Sequence, residues 1–188
     1  MSESSRSFGM QVYAGTGKRA HEILYVHSVL FLSVYSENGK TRTRWRMKYR
    51  MSGRLSQLKP KDVFEYFEEL TKIPHGSGDT KQISDYCAGV IREAGLSCTQ
   101  DAMGNLIAVK EASEGYENVP TVMLQGHLDM VNEKTTSSAH DFSKDALDLR
   151  IDGDWISAKN TTLGGDDGIA VAYMLAILLN PNLRHPRL

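Results

Sequence analysis

The chain has 188 residues, of which 40% are hydrophobic, with a net charge of −1. That length suits one domain of ordinary size with enough apolar material for a core. A balance this close to neutral argues against nucleic acid as the main partner. Charge is nevertheless uneven: residues 1–50 carry nine Lys and Arg against three acidic residues, and residues 51–188 carry thirteen against twenty. Such asymmetry is the mark of an attached basic arm. Residues 1–50 are therefore expected to be a basic N-terminal extension outside the domain, with a binding arm as the lesser alternative. Their apolar run, residues 23–35, is broken by His27, Ser28 and Ser33 and is too short to span a membrane. It starts too late for a signal peptide and lacks a small-residue cleavage site, and Glu22 argues against a transit peptide.

From Met51 onward helices and strands alternate. Val63, Phe64, Phe67 and Leu70 share one face of a helix entered near Pro60, a residue favoured in the first turn. Ile83, Cys87, Val90, Ile91 and Ala94 mark a second helix, with Asp79 or Thr80 as its cap and Gly95 as its stop. Residues 96–99 and 105–109 are strands separated by a Met103-Gly104 turn. Residues 120–125 form a central strand. Residues 147–151 and 155–158 flank Asp152-Gly153, a strong hairpin signal. Val171, Met174, Leu175 and Leu178 recur at helical spacing and end near Asn180-Pro181. Helices between strands imply an α/β sheet covered on both faces, and the hairpin makes that sheet mixed. Cys87 and Cys98 lack ligand spacing and read as buried thiols.

Two motifs carry chemistry. The central strand runs into His127 and Asp129, and ligands of α/β proteins collect at the carboxyl ends of strands. Side chains two apart on an extended segment point the same way, so the carboxylate can hold the second ring nitrogen of the imidazole. A polar strand end facing solvent is the plain alternative. Downstream, Gly164-Gly165-Asp166-Asp167-Gly168 opens the last helix. Capping accounts for one Asp but not for two beside a glycine pair. A phosphate cradle fails, because no Lys follows the turn and paired carboxylates repel phosphate. A carboxylate at such a turn is suited to bridging two cations.

In this order the motifs resemble the zinc aminopeptidase and carboxypeptidase family with a dinuclear metal site. The likeness extends to Leu70-Thr71-Lys72-Ile73-Pro74-His75-Gly76-Ser77-Gly78 after the first helix and to Asp101-Ala102-Met103-Gly104-Asn105-Leu106-Ile107-Ala108. His140-Asp141-Phe142-Ser143-Lys144-Asp145, Asp152-Gly153-Asp154-Trp155-Ile156 and Thr161-Thr162-Leu163-Gly164 resemble its aminoacyl-histidine dipeptidase branch. The resemblance covers residues 51–188 and implies the N-terminal part of a peptidase catalytic domain, incomplete at its C-terminus, with Met51 as the natural start. It implies two Zn2+ ions per complete site, with Co2+ or Mn2+ as alternatives, His127 as a ligand of one ion and Asp166 as the bridge between both. The bond after such an Asp is often cis in the family. Asp129 enters the catalytic set by hydrogen-bonding His127, and Asp167 is left to helix capping. The resemblance further implies a dipeptide substrate, a cytoplasmic location, no nucleic-acid or membrane partner, and a homodimer in the full-length family.

One departure stands out. The family's general base is the first Glu of a Glu-Glu pair on the strand after the helix that follows the bridging Asp. Here the pair Glu68-Glu69 falls in the first helix, far too early. Losing a general base costs roughly two to four orders of magnitude in rate. The expected function is hydrolysis of dipeptides, Xaa-His or broader, by a truncated and inactive form. The alternatives are a non-catalytic fragment acting through a partner, or another exopeptidase or deacylase of the family. His75 and His140 read as solvent-exposed loop residues. Ser77 lacks a neighbouring base and is no nucleophile. Asp152 and Asp154 lack the other ligands of a calcium loop.

Overall fold

The computed structural model describes residues 53–188, together with the backbone of Tyr13–Ala14 and Val29–Leu32. Those two short segments are strands β1 and β2. Helix α1, Lys61–Leu70, follows Pro60 and buries Val63, Tyr66, Phe67 and Leu70, the apolar stripe its spacing foretells. Helix α2, Lys81–Glu93, buries Ile83, Ser84, Cys87, Ala88 and Ile91. It stops before Gly95, whose φ of +77° is one that glycine adopts at no steric cost.

Strands β3, Cys98–Gln100, and β4, Leu106–Ala108, form an antiparallel pair. Their turn is organised by Asp101, whose carboxylate accepts the backbone N–H of Met103 at 2.9 Å and of Asn105 at 2.8 Å. The expected central strand is divided at Leu124 into β5, Val122–Met123, and β6, Gln125–His127. Strands β7, Leu149–Asp152, and β8, Trp155–Ala158, form the expected hairpin. Helix α3, Gly165–Leu179, ends the regular structure. No described helix is long and apolar enough to cross a membrane.

The main sheet has the order β3-β4-β2-β6. Strand β2 runs parallel to β4, with Leu30 opposite Leu106, and antiparallel to β6, with Val29 opposite His127. The sheet is therefore mixed. Val29–Leu32 belongs to the stretch read from sequence as an extension, yet its backbone occupies the middle of this sheet. Tyr13–Ala14 pairs with β5. The segment is part of the apolar run 23–35, and it pairs on both edges. The rest of residues 1–50 lies outside the described residues.

All three helices contribute to one core that also takes Leu106 and Ala108 of β4. Ile107, pointing to the other side of that strand, is 47% exposed, so this part of the sheet is open on one face among the described residues. Helix α3 packs chiefly against α1 and also against β6. That last contact fixes the start of α3 beside the end of the His127 strand.

Candidate metal centre

His127 closes β6, and Asp166 lies one residue into α3. Asp166 and Asp167 both have non-helical backbone angles, and the peptide bond between them is cis. The two carboxylates leave the turn in different directions. Asp166 is largely exposed and meets His127, with Oδ1 at 3.1 Å from Nε2. Asp167 turns toward β6 and accepts the backbone N–H of His127. Its Oδ2 stands 2.5 Å from where a Cβ would sit on Gly126. The capping role expected for Asp167 is thus replaced by a brace between α3 and β6. Burial pushes its carboxyl up, against the lowering effects of the His127 charge and of the bond from the His127 N–H.

The other ring nitrogen of His127 is also engaged. Nδ1 lies 2.9 Å from the backbone oxygen of Asp129 and 3.1 Å from its Oδ1. Both are acceptors, so Nδ1 carries a proton. In the neutral ring Nε2 then has a lone pair and no hydrogen, and it faces another acceptor, Asp166. Two acceptors in contact need something positive between them. Either a second proton or a cation meets that need. Burial lowers the proton affinity of His127, but the Asp166 hydrogen bond, the Asp129 contact and the charges of Asp129 and Asp167 together raise it.

The donor chemistry suits zinc, which takes imidazole nitrogen and carboxylate oxygen. Two donors each about 2.1 Å from a tetrahedral zinc stand roughly 3.4 Å apart, close to the 3.1 Å found here. The fit is partial. Among the described residues no three His, Cys, Asp or Glu side chains stand close enough to hold an ion together.

The histidines read as exposed are not so. His75 is only 5% exposed, and its Nδ1 donates to the Ile73 carbonyl at 2.5 Å. Burial lowers its proton affinity against the raising influence of that bond and of Asp129. The loop that holds it is stitched to the strand leaving β6, through Met130 N to His75 O at 3.0 Å and Ser77 N to Met130 O at 3.1 Å. His140 packs edge-on against Phe142 at 4.6 Å, and its Nε2 is buried without a hydrogen-bond partner among the described residues. The burial of His75 and the half-burial of His140 follow from apolar neighbours, Ile73-Pro74 and Phe142, that the sequence shows but does not rank. Glu68, from the misplaced Glu-Glu pair, accepts the backbone N–H of Arg54 at 2.8 Å and of Leu55 at 3.0 Å. It ties down the segment before α1 and has no part in the site.

No protein-family model matches the chain. It is 42% identical over 131 residues to the cytosol non-specific dipeptidase of Escherichia coli (strain K12), a match covering 70% of this chain and 27% of that protein. Its fold matches the crystal structure of aminoacylhistidine dipeptidase from Vibrio alginolyticus with a TM-score of 0.66 at 32% identity. Over the matched stretch the chain is similar to dipeptidases of the aminoacyl-histidine branch. That second match covers 72% of this chain and 28% of the solved one, so the chain spans little more than a quarter of its dipeptidase relatives. A tripeptidase from Staphylococcus aureus subsp. aureus mu50 shares the fold at 18% identity and a TM-score of 0.50, over 68% of this chain and 34% of its own. The dipeptidase likeness agrees with the α/β architecture.

Proposed function

We propose that this chain supplies part of the metal centre of a cytoplasmic dipeptidase that uses zinc, or cobalt or manganese in its place, to hydrolyse dipeptides of the Xaa-His type or a broader set. One observation carries the reading: Nε2 of His127 faces the Asp166 carboxylate while Nδ1 is held by Asp129. His127 Nε2 and Asp166 would hold the cation. When bound, such an ion polarises a peptide carbonyl and makes water more acidic near neutral pH. The chain's own groups do the positioning. Asp129 keeps the proton of His127 on Nδ1 and leaves Nε2 free to donate its lone pair. Asp167 fixes the strand beneath it through the His127 N–H. Substrate class and location rest on what the relatives are called, a cytosol non-specific dipeptidase and an aminoacylhistidine dipeptidase.

Cobalt(II) titration followed by visible absorption tests the reading. Ligand-field bands that grow in the wild-type protein and vanish in both His127→Ala and Asp166→Ala support it. Wild-type protein without such bands, or bands that persist in either variant, refutes it.

A further inference from the structure

Asp129 has two carboxylate oxygens, and only one faces His127. The other, Oδ2, accepts the hydroxyl of Ser77 at 2.5 Å, across 52 residues of sequence. We propose that Ser77 is a positioning residue of the metal centre: its hydroxyl locks the Asp129 carboxylate so that Oδ1 holds the His127 ring. This inference rests on the metal-site reading above and extends it to the loop after α1.

The loop is built to deliver that hydroxyl. Gly76 bridges in parallel to Met130, and the backbone bonds of His75 and Ser77 to Met130 fasten both sides of it. Gly76 lies close against Asn132, whose Nδ2 would stand 1.9 Å from a Cβ placed there. Chain held this tightly up to Ser77 fixes the backbone from which its hydroxyl reaches Asp129. A hydroxyl has one hydrogen to donate. The Met130 carbonyl, at 3.5 Å from Oγ, is a poor rival for it. The proton therefore goes to Asp129.

The consequence is a chain of contacts from Ser77 to Asp129 to His127 to Asp166. With both oxygens engaged, the carboxylate cannot swing about its terminal torsion, so the His127 ring keeps one orientation and one tautomer. This is the reverse of a serine nucleophile. The hydroxyl touches the carboxylate and not the imidazole, so nothing withdraws its proton.

The test uses the whole chain. Zinc affinity is measured by competition with a chromophoric chelator for wild type, Ser77→Ala, Ser77→Thr and His127→Ala. In parallel, the His127 Nδ1 proton is followed by NMR in metal-free protein. Ser77 is exposed, so Ser77→Ala is expected to keep the wild-type circular dichroism. It should weaken zinc binding about tenfold, as outer hydrogen-bond partners of metal ligands do, and speed solvent exchange of the Nδ1 proton. Ser77→Thr, which retains the hydroxyl, should restore both. Unchanged Nδ1 exchange in Ser77→Ala overturns the proposal, as does a loss that threonine fails to rescue. Equal zinc affinity in wild type and His127→Ala would instead sink the metal-site reading, while the Nδ1 exchange still reports whether Ser77 orients Asp129.

Discussion

Replacing Gly126 with alanine should destabilise the protein, while the same change at Gly89 should stabilise it. A glycine within a strand or helix gives up about 0.5–1 kcal/mol relative to alanine through backbone entropy. Where there is room, alanine recovers that amount. At Gly89, inside α2, an added Cβ would meet nothing within 4 Å. Gly89→Ala is therefore expected to gain about 0.5–1 kcal/mol. At Gly126 the added carbon would stand 2.5 Å from Asp167 Oδ2 and 2.7 Å from Met174 Cε. Met174 is 4% exposed and has little space to retreat into. Overpacking of this kind costs about 1–3 kcal/mol, which at the middle of both ranges leaves Gly126→Ala about 1 kcal/mol less stable after the entropic gain. Urea unfolding followed by far-ultraviolet circular dichroism measures both midpoints, and an unchanged slope certifies the comparison. Pushing Asp167 off the His127 N–H should also weaken zinc binding. A Gly126→Ala protein as stable as wild type would refute the close packing of β6 on the Asp166-Asp167 turn.

Further outcomes follow from other parts of the fold. Glu68→Ala strips the Arg54 and Leu55 N–H groups of their carboxylate; the Arg54 group is exposed and turns to water, and the part-buried Leu55 group should cost about 1–3 kcal/mol in the same unfolding assay. An effect near zero would mean that Glu68 does not anchor this segment. A chain restricted to residues 51–188 lacks Val29–Leu32, so amides of β4 and β6 should lose hydrogen-exchange protection, and unchanged protection would show that β2 is dispensable. Cys98, half-buried, should react with iodoacetamide well before Cys87, as mass spectrometry of the alkylated peptides will show. Burial pushes the Cys87 thiol from 9.0 up to about 12. Between those values the unfolded chain has lost a proton that the folded chain keeps, so stability should fall as pH rises past 9.0. Urea midpoints of Cys87→Ala against wild type across that range isolate this effect. A Cys87→Ala protein with the same pH dependence would contradict it.

Much of the architecture was legible because it rests on spacing. The stripes of α1 and α2, the β7–β8 turn at Asp152-Gly153 and the apolar face of α3 follow from residue order alone. So did the proximity of His127 and Asp166, through the recognisable order of two motifs. The role of Asp167 was not legible. Capping is the local default for an Asp at a helix start, and only the path of the Asp166-Asp167 backbone sends its carboxylate to β6. The contact of Ser77 with Asp129 was not legible, because the two lie 52 residues apart and a carboxylate partner does not mark a nucleophile. The apolar run around Val29–Leu32 was legible, but its place in the sheet was not. Strand pairing with segments distant in sequence leaves no local signature beyond a short apolar run, and such a run fits an extension as well as a sheet.

The account depends on a cation between Nε2 of His127 and the carboxylate of Asp166. Nitrogen-15 NMR of the histidine side chains during zinc titration tests this most directly. The account predicts that His127 Nε2 shifts on zinc addition while Nδ1 keeps its proton, and that Asp166→Ala abolishes the shift. A zinc response confined to His75, His140 or His185, with His127 unmoved, would contradict it.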